Sequence, residues 1–200
     1  MEISAALVKQ LRETTGAGIL DCRKTLEQTG GDMEKAVVVL REKGLAAAAK
    51  RADRVTKDGV IELYSHGNGR VGVMVEINCE TDFVARTEEF RHFAHELALQ
   101  IAANSPKFLD IANIPEKVLE EERTLAAGKA KAEGKPDAVI EKIVEGRLTK
   151  FYQEACLLQQ PYIRDETVTV GDIFKQIISS TRENVVIRRF ARWELGAEAE

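Results

Sequence analysis

The chain has 200 residues, and its 44% of hydrophobic and 31% of charged residues exclude global disorder and predict a packed core. A formal net charge of −4 is not the electrostatic footprint of a general nucleic-acid binder. Three cysteines without framework spacing argue against a secreted disulfide scaffold. Because neither a signal peptide nor an uncharged run of about 18 residues is found, we expect a soluble, cytoplasmic protein that does not enter a membrane.

Three short helices are predicted first along the chain. Ser4 caps the first helix and Gly16 stops it, the second ends at Gly30, and the third is predicted to close at Gly44. Such a small bundle buries only a tiny core, which is typical of a recognition module rather than of a catalytic domain. The alanine-rich, basic residues 45–58 either continue the third helix or form a linker.

The chain is predicted to divide near residue 50. We assign residues 1–50 to a three-helix domain, residues 51–57 to a linker and residues 58–200 to a second domain. From residue 58 the hydrophobic period becomes two, which indicates β-strands. The segment from Gly67 to Gly69 has strong turn chemistry and predicts a β-hairpin.

The second domain is predicted to be α+β. Residues 184–194 are rich in β-branched and aromatic side chains, so a third strand is expected to join the hairpin in a small antiparallel sheet. Between the hairpin and that strand, apolar residues recur three or four apart over residues 87–104 and 136–158 and predict helices that pack on the sheet. Residues 115–132 predict a charged helix, and a capping box at Thr169 opens a last one.

Motifs for catalysis are missing. There is no phosphate loop, no GxGxxG fingerprint and no GxSxG elbow. His92 and His95 lie three apart on a predicted helix, but without an obvious third ligand they are interpreted as surface or packing residues. Acidic neighbours of Cys79 are expected to raise the pKa of its thiol, which argues against a nucleophile. We therefore predict that the chain is not an enzyme and holds no cofactor or metal.

The stretch Thr81-Asp82-Phe83-Val84 joins a predicted strand to a predicted helix and admits two interpretations. In the first, Thr81 caps the helix, Asp82 complements its dipole and Phe83 fills the core. In the second, the acid and the aromatic ring are presented to a partner, since binding hot spots favour aromatics on firm supports. Local physical chemistry favours the first interpretation but does not decide between them.

Four segments, in order along the chain, resemble the elongation factor Ts family, the guanine-nucleotide exchange factors of the GTPase elongation factor Tu. The segments are residues 8–44, VGVMVEINCETDFVAR, residues 135–165 and NVVIRRFARWELG. The resemblance implies that residues 1–50 are similar to ubiquitin-associated domains and bind the GTPase. It also implies a translation factor that binds elongation factor Tu·GDP, dislodges Mg²⁺ and promotes GDP release so that GTP can bind.

The resemblance also assigns residues to the contact with the GTPase. It implies that the stretch between strand and helix touches the nucleotide domain of the partner and disturbs its Mg²⁺ site: Thr81, Asp82, Phe83 and Val84. It implies a second contact from the three-helix domain: Leu11, Arg12, Gly18, Ile19 and Lys24. With this implication the balance between the two interpretations reverses, and we expect Phe83 to be at least partly exposed.

The chain departs from the longer members of the family. It has one copy of the core module where they have two, which resembles the short form and implies a homodimer. Many members have a histidine where this chain has Gln100, so a contact that needs an imidazole there is in doubt. The nucleotide is expected to be bound by the partner and not by this chain.

Three rival interpretations stay open at this point. The first is a ubiquitin-associated-type binding module joined to an unrelated α+β domain without exchange activity. The second is an enzyme of unknown class, although nothing in the sequence points to a pocket with convergent polar groups. The third is a nucleic-acid binder that uses Arg188, Arg189 and Arg192, but consecutive strand positions alternate faces and form no single basic stripe. We therefore expect no direct contact with nucleic acid.

Overall fold

A computed structural model describes residues 3–197 and shows an α+β fold, as predicted. The helices and strands follow in chain order: α1 (Ala5–Thr15), α2 (Ile19–Gln28), α3 (Met33–Ala49), β1 (Asp58–His66), β2 (Val71–Cys79), α4 (Asp82–Ala85), α5 (Glu88–Asn104), α6 (Glu116–Ala132), α7 (Asp137–Ala155), β3 (Pro161–Tyr162), β4 (Asp165–Thr169), α8 (Val170–Thr181) and β5 (Val186–Glu194). Strands β1, β2 and β5 form a three-stranded antiparallel sheet in that order, and β3 pairs with β4. No helix between residues 3 and 197 is both long and apolar enough to cross a membrane.

The chain forms two compact units that do not coincide with continuous stretches of sequence. The first unit contains the described residues up to 63 together with residues 74–96 and 173–191. The second contains residues 64–73 and 97–172 and the described residues from 192 onward. The three N-terminal helices therefore belong to the same unit as most of the hairpin, the start of α5 and the end of α8.

The three N-terminal helices of the first unit enclose a small apolar core of their own. Six buried residues form it: Val8, Leu11, Cys22, Leu26, Ala36 and Leu40. The hydroxyl of Ser4 accepts the backbone N–H of Leu7 at 3.2 Å, and Gly16 ends α1 at a φ of 67°. Both of these predicted helix ends are confirmed, and they result from side-chain capping and from the tolerance of glycine for positive φ.

The predicted end of the third helix at Gly44 is wrong, because α3 continues to Ala49. An interior glycine costs a helix only about 1 kcal/mol, and the alanines that follow are the strongest helix formers. A Cβ on Gly44 would lie 2.7 Å from the hydroxyl oxygen of Ser179. The close approach of α8, rather than the end of a helix, therefore explains the glycine.

Strand β2 of the hairpin has one buried and one exposed face. Val73, Val75 and Ile77 of β2 are buried, whereas Met74 between them is exposed. Phe93 of α5 stacks on Phe174 of α8, with ring centroids 6.1 Å apart. The period-two pattern predicted this alternation.

The second unit is built around a pair of consecutive helices, α6 and α7, and a buried glutamine pair. Gln100 is fully buried and donates from Nε2 to Gln160 Oε1 and to the Pro161 carbonyl, both at 3.1 Å. Its Oε1 accepts the N–H of Ile163 at 2.9 Å. Gln100 is thus occupied by bonds within its own chain. The short β3–β4 hairpin that follows was not predicted, because Pro161–Tyr162 is too brief to show a period.

Candidate partner-binding site

The stretch from Thr81 to Val84 forms a corner between β2 and the one-turn helix α4. Thr81 is the N-cap of α4, with extended backbone angles of −130° and 153°. Its hydroxyl accepts the N–H of Val84 at 3.4 Å. The first interpretation was therefore right about the cap, and Asp82 occupies the first turn of α4.

Phe83 is 82% exposed, which excludes the interpretation that it fills the core and confirms the expectation of a ring that is at least partly exposed. The residue of α4 that packs inward is Ala85, which is buried. A helix of one turn has room for only one inward position, and here the small residue occupies it. Phe83 thus places a large aromatic surface in solvent, beside the half-buried Val84.

Asp82 carries the negative charge of this corner. Its carboxylate Oδ2 lies 2.9 Å from Nη2 of Arg86, one turn further along the chain. Both side chains are at least half exposed, and such surface pairs contribute about 1 kcal/mol or less. A partner with a stronger positive group can therefore replace Arg86 at little cost.

The base of the corner is held by a residue that the sequence analysis missed. The Glu183 carboxylate accepts the backbone N–H groups of Glu80 and Thr81, at 2.9 and 3.1 Å. It also accepts the hydroxyl of Thr81 at 2.6 Å. A glutamate just before a predicted strand carries no local signal of this role, because its partners lie about a hundred residues earlier in the chain.

The five candidate residues of the three-helix domain occupy different environments. Leu11 is fully buried in the helical core, where its role is packing. Arg12 and Ile19 line an open groove of about 510 Å³. Gly18 faces the Arg182 side chain, since a Cβ there would lie 2.2 Å from Nη2. Lys24 is exposed on α2. The structure thus brings Arg12 and Ile19 together at one surface.

The surroundings of His95 and Cys79 indicate structural rather than chemical roles. Nδ1 of His95 lies 2.9 Å from Oε1 of Glu62. Among residues 3–197, no three side chains of the metal-binding types cluster closely enough to hold an ion. Cys79 is buried, and this burial, with a smaller effect of the Glu183 charge, raises the pKa of its thiol to about 11. The direction was predicted, but burial rather than the nearby acids is the main cause.

The chain matches known proteins over almost its whole length. A family model described as elongation factor TS matches residues 5–197. The chain belongs to the elongation factor Ts family. One elongation factor Ts, from Coprothermobacter proteolyticus, is 54% identical over 196 residues, which are 98% of this chain and 100% of that protein. Another, from Caldanaerobacter subterraneus subsp. tengcongensis, is 56% identical over 198 residues, 99% of each chain.

The elongation factor Ts of Nitratidesulfovibrio vulgaris is also similar, at 54% identity over 198 residues and 99% of each chain. Members of the elongation factor Ts family act in translation elongation as nucleotide exchange factors for elongation factor Tu. The predicted family and function are thereby confirmed. The rival interpretation of a binding module joined to an unrelated domain is excluded, since the family model covers both units.

Proposed function

We propose that this chain acts on elongation factor Tu·GDP through the corner formed by Thr81, Asp82, Phe83 and Val84, displaces Mg²⁺ and so accelerates GDP release. The exposure of Phe83 carries this proposal, because 82% of a large aromatic side chain lies in solvent on a capped turn. Buried aromatic anchors on well-ordered supports dominate the energy of many interfaces. Arg12, Ile19 and Lys24 provide a second contact, with Leu11 and Gly18 shaping the surface behind them.

The free energy needed for nucleotide exchange is small enough for a corner of four residues to supply. A factor that weakens GDP binding a thousandfold must have its own binding weakened equally by GDP, which corresponds to about 4 kcal/mol. Burial of a phenylalanine side chain supplies about 1.5–3 kcal/mol. The Asp82 carboxylate, placed near the metal of the partner, supplies the remainder by competing electrostatically. Such a factor changes an equilibrium between bound states and catalyses no chemical step.

The nucleotide and Mg²⁺ belong to the partner in this mechanism. The chain therefore needs no cofactor or metal of its own, and it acts without direct contact with nucleic acid or a membrane. Its place of action is the cytoplasm, where translation takes place.

We also infer that two copies of the chain pair through the exposed face of the sheet. Ile61 and Leu63 of β1 are 56% and 65% exposed, and Met74 of β2 is 41% exposed. Ile61 and Met74 line a groove together with Ala191 of β5. Contiguous apolar surface of this kind marks interaction sites in soluble proteins. We take a second copy as the occupant, because a twofold axis brings the same apolar patch of both chains together.

Release of a fluorescent GDP analogue from elongation factor Tu tests the proposed role of the corner. The combined variant Asp82→Ala and Phe83→Ala is expected to slow accelerated release by about 30-fold or more, the equivalent of about 2 kcal/mol. Leu125→Ala is the matched control, since Leu125 of α6 is another well-exposed apolar residue and is not among the residues proposed to contact the GTPase. Full acceleration by the combined variant contradicts the proposal.

A further inference from the structure

Three donors of the α4 corner converge on one carboxylate. Glu183 Oε2 accepts the N–H groups of Glu80 and Thr81, and its Oε1 accepts the Thr81 hydroxyl at 2.6 Å. The same hydroxyl accepts the N–H of Val84 and so begins α4. Because the hydroxyl proton is engaged by Glu183, the lone pairs of the oxygen are free to point toward the helix. The carboxylate therefore orients the cap of α4 as well as its backbone.

The neighbouring Asn184 strengthens this attachment. Its backbone N–H donates to Glu80 Oε1 at 2.6 Å. Its side-chain amide donates to the carbonyls of Ala52 and Arg54, at 3.0 and 2.8 Å. Asn184 is buried, so these bonds are shielded from water. Residues 183 and 184 thus hold Glu80 and Thr81, the two residues that lead into α4.

The backbone before Glu183 is bent into an uncommon conformation. Arg182 has a φ of 59°, in the left-handed region that non-glycine residues rarely adopt. This turn separates the end of α8 from the start of β5 and directs the Glu183 carboxylate to the corner. Strained conformations persist where surrounding contacts over-determine them. Here the contacts are the bonds to Glu80 and Thr81.

α4 needs support of this kind because it is only four residues long. An isolated helix of one turn is not stable in water, and the bond from Val84 to the Thr81 hydroxyl is long at 3.4 Å. Charge-assisted bonds to a carboxylate are shorter and stronger than neutral ones. The direction in which Phe83 leaves the corner therefore depends on residues outside α4.

We propose that Glu183 is a positioning residue for exchange: it holds the backbone of Glu80 and Thr81 so that α4 presents Phe83 and Asp82 in the orientation the GTPase accepts. Glu183 itself contacts neither nucleotide nor metal in this mechanism. The inference rests on the proposed function of the corner. It adds a residue from the far end of the chain to a site that otherwise occupies four consecutive positions.

A double-mutant cycle of Glu183 and Phe83 tests the inference in the GDP-release assay. Glu183→Ala is expected to lower the release rate at saturating factor by about tenfold, since a misplacement of about 1 Å can cost about 10²-fold and this change loosens a backbone that other bonds still hold. In a Phe83→Ala background the same change is expected to cause a smaller loss, because only the part of its effect that passes through Asp82 remains. Glu121→Ala, which removes an exposed carboxylate from α6, is the charge-matched control and is expected to behave as the unaltered chain.

Glu183→Gln keeps an oxygen for the two N–H groups but loses the acceptor for the Thr81 hydroxyl. Its rate of GDP release is expected to fall less than that of Glu183→Ala. It replaces Glu183→Ala in the double-mutant cycle with Phe83 if the alanine variant does not fold. Equal losses from Glu183→Ala with and without Phe83 overturn the inference, because they indicate general destabilisation. Unchanged GDP release by Glu183→Ala, in an assay in which Phe83→Ala slows release, also overturns the inference. Unchanged release by Phe83→Ala alone overturns instead the proposed function of the corner.

Discussion

Phe83 places most of its ring in solvent while the adjacent Ala85 packs inward, so the two residues divide the roles of anchor and support. An exposed ring contributes little to folding, because it loses hydration neither in the folded nor in the unfolded chain. The surface that it offers to a partner is therefore independent of the stability of the protein. This independence allows binding and folding to be measured separately at one residue.

Phe83→Ala is expected to change the free energy of unfolding by no more than about 0.5 kcal/mol. Phe90→Ala, seven positions later, is the matched control, because Phe90 is fully buried. It is expected to cost about 3–5 kcal/mol through lost burial and a new cavity. Urea unfolding followed by circular dichroism measures both values. A loss of about 2 kcal/mol or more for Phe83→Ala would show that the ring packs against its own chain.

The raised pKa of the Cys79 thiol predicts that the stability of the fold depends on pH. Burial raises the pKa of its thiol from 9.0 to about 11, so the folded chain holds this proton more tightly than the unfolded chain does. The resulting stabilisation is fully present below pH 9 and is lost as the pH rises to about 11. Cys79→Ala is expected to show a shallower decline in unfolding free energy across this window. Parallel declines in the two proteins contradict the assignment, and Cys156 contributes equally to both curves.

Among the strands, β1 approaches β2 closely at Gly59, which has no Cβ to keep them apart. Its φ is 150°, and a Cβ there would lie 2.1 Å from the carbonyl oxygen of Ile77. Backbone atoms cannot rotate away as a side chain can, so the strands would have to separate. The hairpin that leads to the α4 corner therefore requires glycine at this position.

Gly59→Ala is expected to destabilise the fold by about 3 kcal/mol or more, as overpacking against a fixed neighbour does. Gly72→Ala in the partner strand is the control, because a Cβ added at Gly72 would meet no other atom within 4 Å. Thermal unfolding of the two variants is the measurement. Equal melting temperatures would show that the strands can separate locally without loss.

The C-terminal end of α8 and the residues just after it contact both the three N-terminal helices and the α4 corner. A Cβ on Gly16 would lie 3.0 Å from Cβ of Ser180, and Ser179 approaches Gly44 in the same way. Three residues later, Glu183 binds the α4 corner. Small residues allow α8 to pack closely on the three N-terminal helices, and one short segment thereby contacts both parts of the first unit that are proposed to bind the GTPase.

At the scale of the whole molecule, the proposed dimer predicts a defined assembly. The unaltered chain is expected to sediment with twice the mass of one chain at micromolar concentration. The combined variant Ile61→Glu and Met74→Glu is expected to weaken pairing by about a hundredfold or more, since unpaired buried carboxylates cost together about 3 kcal/mol or more. Leu125→Glu is the control and leaves the dimer intact. Sedimentation of the unaltered chain as a monomer contradicts the proposed pairing.

Local patterns were sufficient for most of the elements. Ser4 and Gly16 bound α1 because capping and positive φ are decided within a few residues. The alternation around Met74 located the strand and its buried face for the same reason. The predicted end of α3 was wrong because Gly44 is needed for the close approach of Ser179, which lies near it only in the folded chain.

The amino-acid sequence alone was enough to predict the order of most helices and strands and to suggest the family, because periodicity, caps and motifs are properties of neighbouring residues. Tertiary structure decided that Phe83 faces solvent, that Leu11 is buried, and that Glu183 supports Thr81. Each of these depends on which surface a residue turns toward elements distant in sequence. Burial and hydrogen bonding over the whole unit, rather than within the local segment, decide that choice.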